Sequence, residues 1–122
     1  MNAINWFEIP AANFTRAVAF YERIMALELP INDGFPGMKM ALFPYEKPGV
    51  GGCVIEFDKF RPHADGVRIY LNGGDDLALI LARVEAAGGK VVMPKTLIRD
   101  DIGHIGMFSD SEGNIVGLHS MH

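Results

Sequence analysis

The side chains best suited to chemistry in this sequence fall at alternate positions of short apolar segments. In INWFEIP, Glu8 follows Trp6 by two residues, and in NIVGLHS, His119 follows Gly117 by two residues. Successive side chains of a β-strand point to opposite faces, so each of these pairs is expected to share one face. A polar group on the inner face of a strand is costly to bury unless it is paired or used, which favours a site there.

Glu8 and His119 form the candidate acid–base pair. A carboxylate favours the protonated imidazole, so such a pair can exchange a proton with a substrate or anchor a polar ligand. An internal ion pair with no further role is the structural alternative. In VRIYLN, Tyr70 shares a face with Arg68 and is the third candidate catalytic group, since either side chain could steady a developing oxyanion.

Four further residues are candidates for substrate binding. Trp6 offers a flat wall for a ring or an acyl chain, with a core position as the alternative. Gly117 is expected to leave room for a ligand, and the fork of Arg68 is shaped for a carboxylate unless it pairs with an acid of the chain. His104 begins a predicted strand and is expected at the cavity mouth, with a solvated loop-end histidine as the alternative.

The two halves of the chain repeat one order of predicted elements. The first half reads as a strand in INWFEIP, a helix in NFTRAVAFYERIMALEL with Asn13 as its N-cap, and strands in LPINDGF, GMKMALFPY and GVGGCVIEF. The second half reads as a strand in VRIYLN, a helix in DDLALILARVEAAGG that ends at a glycine pair, and strands in KVVMPKTLI, HIGMFSD and NIVGLHSM. We predict an α+β fold in which two tandem βαβββ modules form a curved mixed sheet around a cavity.

Each module has one helix to cover one face of its strands, so the opposite face is expected to stay open as a concave surface. The residues predicted to face the helices are Phe7, Ile9, Val67, Ile69, Leu71, Val116 and Leu118. We predict a single domain over residues 1–122, with the first module at about 1–57, a linker at 58–65 and the second module at about 66–122.

Composition excludes several classes of partner. The formal charge is −4 and the cations are scattered, which argues against nucleic acid. The sequence has no apolar run long enough to span a membrane, and its first residues do not read as a signal peptide. The single Cys53 cannot form an internal disulfide and is expected to be a buried small residue. We expect a protein of the reducing cytoplasm.

The paired modules resemble the vicinal oxygen chelate superfamily over essentially the whole chain. The resemblance rests on INWFEIPAANFTRAVAFYERIM, LARVEAAGGKVVMPKT and MFSDSEGNIVGLHS. This superfamily contains glyoxalase I, extradiol dioxygenases and bleomycin-resistance proteins, and the chain is most similar to its lactoylglutathione lyase-related branch. The resemblance implies a small-molecule cavity and a homodimer.

In metal-dependent members of that superfamily, a cation in the cavity is held by His, Gln or Glu from the first and last strands of each module. By the family pattern, the first-strand ligand falls on Trp6 and the last-strand ligand on Gly117, and neither side chain binds metal. The second module offers Arg68 or Tyr70 in place of His, and the remaining position falls on or near Gly52 and Cys53. The standard metal site is therefore expected to be absent, and no cofactor is expected.

We expect a glyoxalase-like protein that acts on or binds a small oxygenated compound. As an enzyme, it would carry out metal-independent proton transfer, isomerisation or lyase-type chemistry next to a carbonyl, with Glu8 as base and His119 as partner. One alternative is a non-catalytic protein that binds or sequesters an antibiotic-type molecule. Another is a lyase or dioxygenase with shifted metal ligands, in which Glu8, Glu56 and His119 would suit divalent iron or manganese.

Overall fold

The computed structural model describes residues 2–122, with the side chains of residues 33–35 left aside. The chain order is strand, helix and three strands, and this order then repeats. The elements are β1 (Trp6–Pro10), α1 (Phe14–Met25), β2 (Ile31–Phe35), β3 (Met38–Phe43), β4 (Gly51–Glu56), β5 (Tyr70–Asn72), α2 (Ala78–Ala87), β6 (Lys90–Arg99), β7 (Gly103–Ser109) and β8 (Ile115–Ser120).

Each module builds its own four-stranded mixed sheet. The strand orders are β1-β4-β3-β2 and β5-β8-β7-β6. In both sheets the first strand of the module runs parallel to the last, and the remaining neighbours are antiparallel. The predicted α+β fold of two βαβββ modules is confirmed, but the strands form two separate sheets in place of one continuous sheet.

Local side-chain and backbone conformations define the start of α1 and the ends of both helices. The Asn13 side chain accepts a hydrogen bond from the backbone N–H of Arg16 at 3.0 Å, so the predicted N-cap of α1 is confirmed. Helix α1 ends at Ala26, whose φ of 55° lies in the left-handed region. Helix α2 ends at Gly88 with a φ of 106°, a conformation that glycine adopts without the steric cost of a side chain. Within residues 2–122, neither helix is long and apolar enough to cross a bilayer.

The two helices pack against each other, and they share one apolar core with the inner sides of both sheets. Alternation predicts most of this core correctly. The helix-facing residues that are buried or packed against the core are Phe7, Ile9, Ile69, Leu71, Val116 and Leu118.

The prediction for Val67 is wrong, because its side chain is 93% exposed. Strand β5 begins only at Tyr70, so Val67 precedes the strand and alternation does not set its direction.

Candidate functional site

Aromatic rings cover glycines in the last strand of each module. A methyl group built at Gly117 would lie 2.3 Å from a ring carbon of Tyr70. In the first module, a methyl at Gly51 would lie 2.4 Å from the Tyr45 ring, and one at Gly52 would lie 2.3 Å from the Phe7 ring. The space beside Gly117 that was expected for a ligand is therefore occupied by the ring of Tyr70, at its partner position in β5.

Strand β1 turns Trp6 and Glu8 away from the core. Trp6 is 37% exposed, and its indole Nε1 donates to Oε2 of Glu8 at 3.4 Å. The edge of the indole meets the ring of Tyr45, with 6.2 Å between ring centroids. Trp6 is therefore a partly exposed side chain on the face of the first sheet that points away from the core.

His119 lies in the second sheet, beside Asn72 of β5 and Ile105 of β7. Its Nε2 is 2.6 Å from the backbone carbonyl oxygen of Ile102, so this nitrogen carries the proton and donates it. Glu8 and His119 thus belong to different sheets and bond to different partners. A single chain does not bring them together as an acid–base pair.

Glu56 lies on the opposite face of the first sheet from Glu8. Its Oε1 accepts the backbone N–H of Phe14, at the start of α1, at 2.8 Å, and its Oε2 lies 3.7 Å from Nζ of Lys39. Glu8 instead neighbours Cys53, whose side chain alternates with that of Glu56 along β4. The carboxylate of Glu56 is committed to a helix end and does not converge with that of Glu8.

The residues considered for a shifted metal site therefore do not fit a divalent metal within one chain. Across residues 2–122, apart from the side chains of 33–35, no three His, Cys, Asp or Glu side chains form a group that could hold a metal ion. On β7, His104 lies opposite Ser120 of β8 and Leu97 of β6, whereas the next residue, Ile105, lies opposite His119. Neighbouring residues of a strand point to opposite faces, so His104 faces the helix side of the sheet and not the expected cavity mouth.

A cavity of about 670 Å³, called here the larger cavity, lies between the two modules. This volume falls within the range typical of small-molecule sites. Ten of its thirteen lining residues are apolar, and Arg68, Tyr70 and Asn72 supply the polar groups. Much of the apolar wall comes from the inner sides of both sheets and the end of α1, namely Phe7, Met25, Leu27, Phe43, Ile69 and Leu71.

A smaller cavity of about 230 Å³ lies where the end of β1 approaches the start of β8. Glu8, Arg61, His63 and Asn114 supply its polar lining. Nδ1 of His63 accepts the backbone N–H of Asp65 at 3.0 Å, which leaves Nε2 to meet solvent or a ligand. Sequence reasoning did not select Arg61 and His63, because a loop has no periodicity that would show which way its side chains point.

A buried hydrogen-bond network joins the modules beside these cavities. The Tyr21 hydroxyl of α1 donates to Oδ2 of Asp110 at 2.7 Å, and Asn114 donates from Nδ2 to the backbone carbonyl of Pro10 at 2.8 Å. Burial, together with the neighbouring Asp110 carboxylate, raises the pKa of Tyr21 well above its ordinary value. Tyr21 therefore stays protonated and acts as a donor that fixes α1 to the β7–β8 turn.

The same turn holds the start of α1 through Glu112. Its Oε1 accepts the backbone N–H groups of Ala12 at 2.9 Å and Asn13 at 2.7 Å, and its carboxylate binds the Arg16 guanidinium through two N–H groups. Burial alone would raise the pKa of this carboxyl, but hydrogen bonds from Arg16, Asn13 and Ser111 outweigh that effect and lower it below the ordinary 4.5. The second module thus caps the helix of the first.

Cys53 is fully buried in β4, where it lies opposite Glu8 of β1. Burial first, and the Glu8 charge second, raise the pKa of its thiol to about 12. The thiolate is the reactive form of cysteine, so Cys53 is not a nucleophile at neutral pH. The prediction that it is a buried small residue is confirmed.

No protein-family model and no curated protein matches the sequence. Solved structures do match it. A glyoxalase/bleomycin resistance protein from Albidiferax ferrireducens is 13% identical with a TM-score of 0.72, over 96% of this chain and 98% of its own. A glyoxalase/bleomycin resistance protein from Streptomyces sp. CB03234 is 23% identical with a TM-score of 0.71, over 96% and 100% of the two chains. An antibiotic binding protein from the same organism is 20% identical with a TM-score of 0.68, over 98% and 96%.

Proposed function

We propose that this chain, which has the fold of the glyoxalase and bleomycin-resistance proteins of the vicinal oxygen chelate superfamily, binds a small and largely apolar molecule between its two modules. The observation that carries the proposal is the larger cavity of about 670 Å³. Its volume and its largely apolar wall with few polar groups are typical of ligand pockets. The likeness to an antibiotic binding protein of the same fold agrees with it.

The proposed binding does not require a metal centre. Burial of an apolar ligand against Phe7, Phe43 and Leu71 supplies the affinity, at about 25 cal/mol for each Å² of apolar surface removed from water. The guanidinium of Arg68, the charged group in the described lining, orients the ligand. Treatment with a chelator is therefore expected to leave binding unchanged.

A cavity-filling variant tests the proposal. Leu27→Trp adds an indole to the wall of the larger cavity, and 2-(1-naphthyl)ethanol serves as an apolar probe in isothermal titration calorimetry. We expect the probe to bind the unmodified chain and to lose at least tenfold in affinity in Leu27→Trp. Leu79→Trp is the matched control, because Leu79 is 62% exposed on α2 and does not line the cavity. An equal effect of both variants would contradict the proposal.

A second candidate function is proton transfer next to a carbonyl with Glu8 as the base. The observation in its favour is that Glu8 is exposed and lines the smaller cavity together with Arg61 and His63. A cation and an imidazole beside the carboxylate could steady an oxyanion and return a proton. If turnover of a small carbonyl compound is found, Glu8→Gln should abolish it, whereas His119→Ala should not. Unchanged turnover in Glu8→Gln would remove this candidate.

We also propose that the protein is a homodimer of the reducing cytoplasm. Exposed apolar side chains around the larger cavity support the dimer, among them Ile4, Val67 and Tyr70. The buried free thiol of Cys53 agrees with a reducing compartment. Sedimentation equilibrium measures the mass in solution, and a species of 13.4 kDa at all concentrations would rule out the dimer.

A further inference from the structure

We infer that the ligand of the larger cavity carries a single negative charge on a carboxylate or a similar oxyanion, and that Arg68 binds it. The inference rests on the proposed function, because it names the class of molecule that the cavity takes. It follows from the charge and the hydrogen-bond capacity of the polar lining.

Arg68 is a half-buried cation that forms no ion pair with any described residue. Its Nη1 donates to the backbone carbonyl of Ile115. The ion pairs of the described residues use other cations, namely Arg16, Lys39, Lys95 and Arg99. The guanidinium is always charged and offers five N–H donors, so most of its donors have no protein acceptor within residues 2–122. Partial burial of an unpaired cation costs free energy that an anionic ligand would offset.

The other polar groups of the lining are also donors. Oδ1 of Asn72 accepts the backbone N–H of Gly74 at 2.9 Å, and the amide Nδ2, which has no partner among the described residues, can donate to a ligand. The Tyr70 hydroxyl has no partner among the described residues and can donate as well. Tyr70 and Asn72 lie on β5, and Arg68 precedes that strand. None of the three polar residues of the lining carries a negative charge, and each has an N–H or O–H to donate, which matches an oxyanion better than a cation.

The charge of the remaining wall supports the same choice. Arg68 is the only Asp, Glu, Lys or Arg among the described residues that line the larger cavity. A cationic ligand would meet Arg68 with no acid to compensate, whereas a monoanion would make the occupied cavity neutral. The apolar wall then requires the rest of the ligand to be a ring system or an aliphatic chain.

Calorimetric titration with two matched probes tests the inference. The probes are 1-naphthylacetate and 2-(1-naphthyl)ethanol, which share the ring and differ in the charged group. We expect the acid to bind at least tenfold more tightly than the alcohol, a difference of about 1.4 kcal/mol. In Arg68→Met, the ratio of the affinities for the acid and the alcohol should fall to about one because the acid binds more weakly, while the affinity for the alcohol changes by less than about twofold. Arg68→Lys should keep part of the preference, because it keeps the charge.

Arg83→Met is the matched control. Arg83 is also partly buried and also donates one N–H to a backbone carbonyl, that of Ile24, but it does not line the cavity. The Arg83→Met variant should keep the full preference for the acid over the alcohol. Equal binding of the two probes, or a preference that survives in Arg68→Met, would overturn the inference and leave the proposed function standing. Failure of both probes to bind at millimolar concentration would overturn both.

Discussion

Replacement of Tyr21 by phenylalanine removes one oxygen atom from the contact between the modules. The Tyr21 side chain is fully buried, and its ring packs against the rings of Phe20, Phe43 and Phe108. Tyr21→Phe keeps this ring and its packing, so the free energy of unfolding changes mainly through the lost hydrogen bond to Asp110.

The size of the loss follows from the surroundings of Asp110. Its carboxylate is 4% exposed and keeps three other donors, the backbone N–H groups of Glu112 and Asn114 and Nδ2 of Asn114. A hydrogen bond to a charged group contributes about 1.5–3 kcal/mol, and the remaining donors limit the cost of leaving one oxygen underused. We expect Tyr21→Phe to lower the free energy of unfolding by about 2 kcal/mol, with a fall in Tm of roughly 6–10 °C.

Urea unfolding followed by far-ultraviolet circular dichroism measures this change. The midpoint should fall while the slope m stays constant, because the surface exposed on unfolding is unchanged. Tyr45→Phe is the control, since Tyr45 is 44% exposed and its hydroxyl has no partner among the described residues. A loss below about 0.5 kcal/mol in Tyr21→Phe, or a loss equal to that of the control, would refute the reasoning.

Three further changes can be measured on the same protein. The folded protein lowers the pKa of Glu112, so the contribution of this carboxylate to the free energy of unfolding is complete above about pH 4.5 and is lost as the pH falls through the pKa of the folded state. In Glu112→Gln, the free energy of unfolding should therefore fall less steeply between pH 7 and pH 3, as urea titrations can measure. Gly52→Ala should destabilise by about 1–3 kcal/mol because the new methyl would lie 2.3 Å from the Phe7 ring, whereas Gly66→Ala, with its nearest atom at 3.7 Å, should stay within about 0.5 kcal/mol in thermal unfolding. Cys53 should react with iodoacetamide at pH 8 at least about a hundredfold more slowly in the folded than in the urea-unfolded protein, as mass spectrometry can follow, and comparable rates would contradict its burial.

The fold could be predicted because its signals are local. The N-cap at Asn13, the glycine end of α2 and the alternation in β1 and β8 each involve residues within a few positions of one another. The internal repeat then fixed the order of elements. Val67 was misplaced because the start of β5 depends on pairing with β8, which the segment itself does not encode.

The candidate site was harder to predict because its contacts join distant parts of the chain. Alternation predicted that Glu8 and His119 lie on the strand faces away from the helices and line one cavity, but it carries no information on how two sheets are oriented. Glu56 bonds to the backbone of Phe14, which lies 42 residues earlier, and Gly117 accommodates Tyr70 from another strand. The larger cavity is lined by the helix-facing residues Phe7, Ile69 and Leu71 and not by the opposite strand faces that were expected to enclose it, because alternation does not show where two modules leave a gap.

The clamp that Glu112 places on α1 has a consequence for how the protein is made. The backbone N–H groups of Ala12 and Asn13, which donate to the Glu112 carboxylate, lie 100 and 99 residues earlier in the chain. A ribosome synthesises the first helix long before Glu112, so these two hydrogen bonds and the ion pair with Arg16 can form only when nearly the whole chain has been made. Until then, the opening turn of α1 has only the acceptors of its own module, the side chains of Asn13 and Glu56.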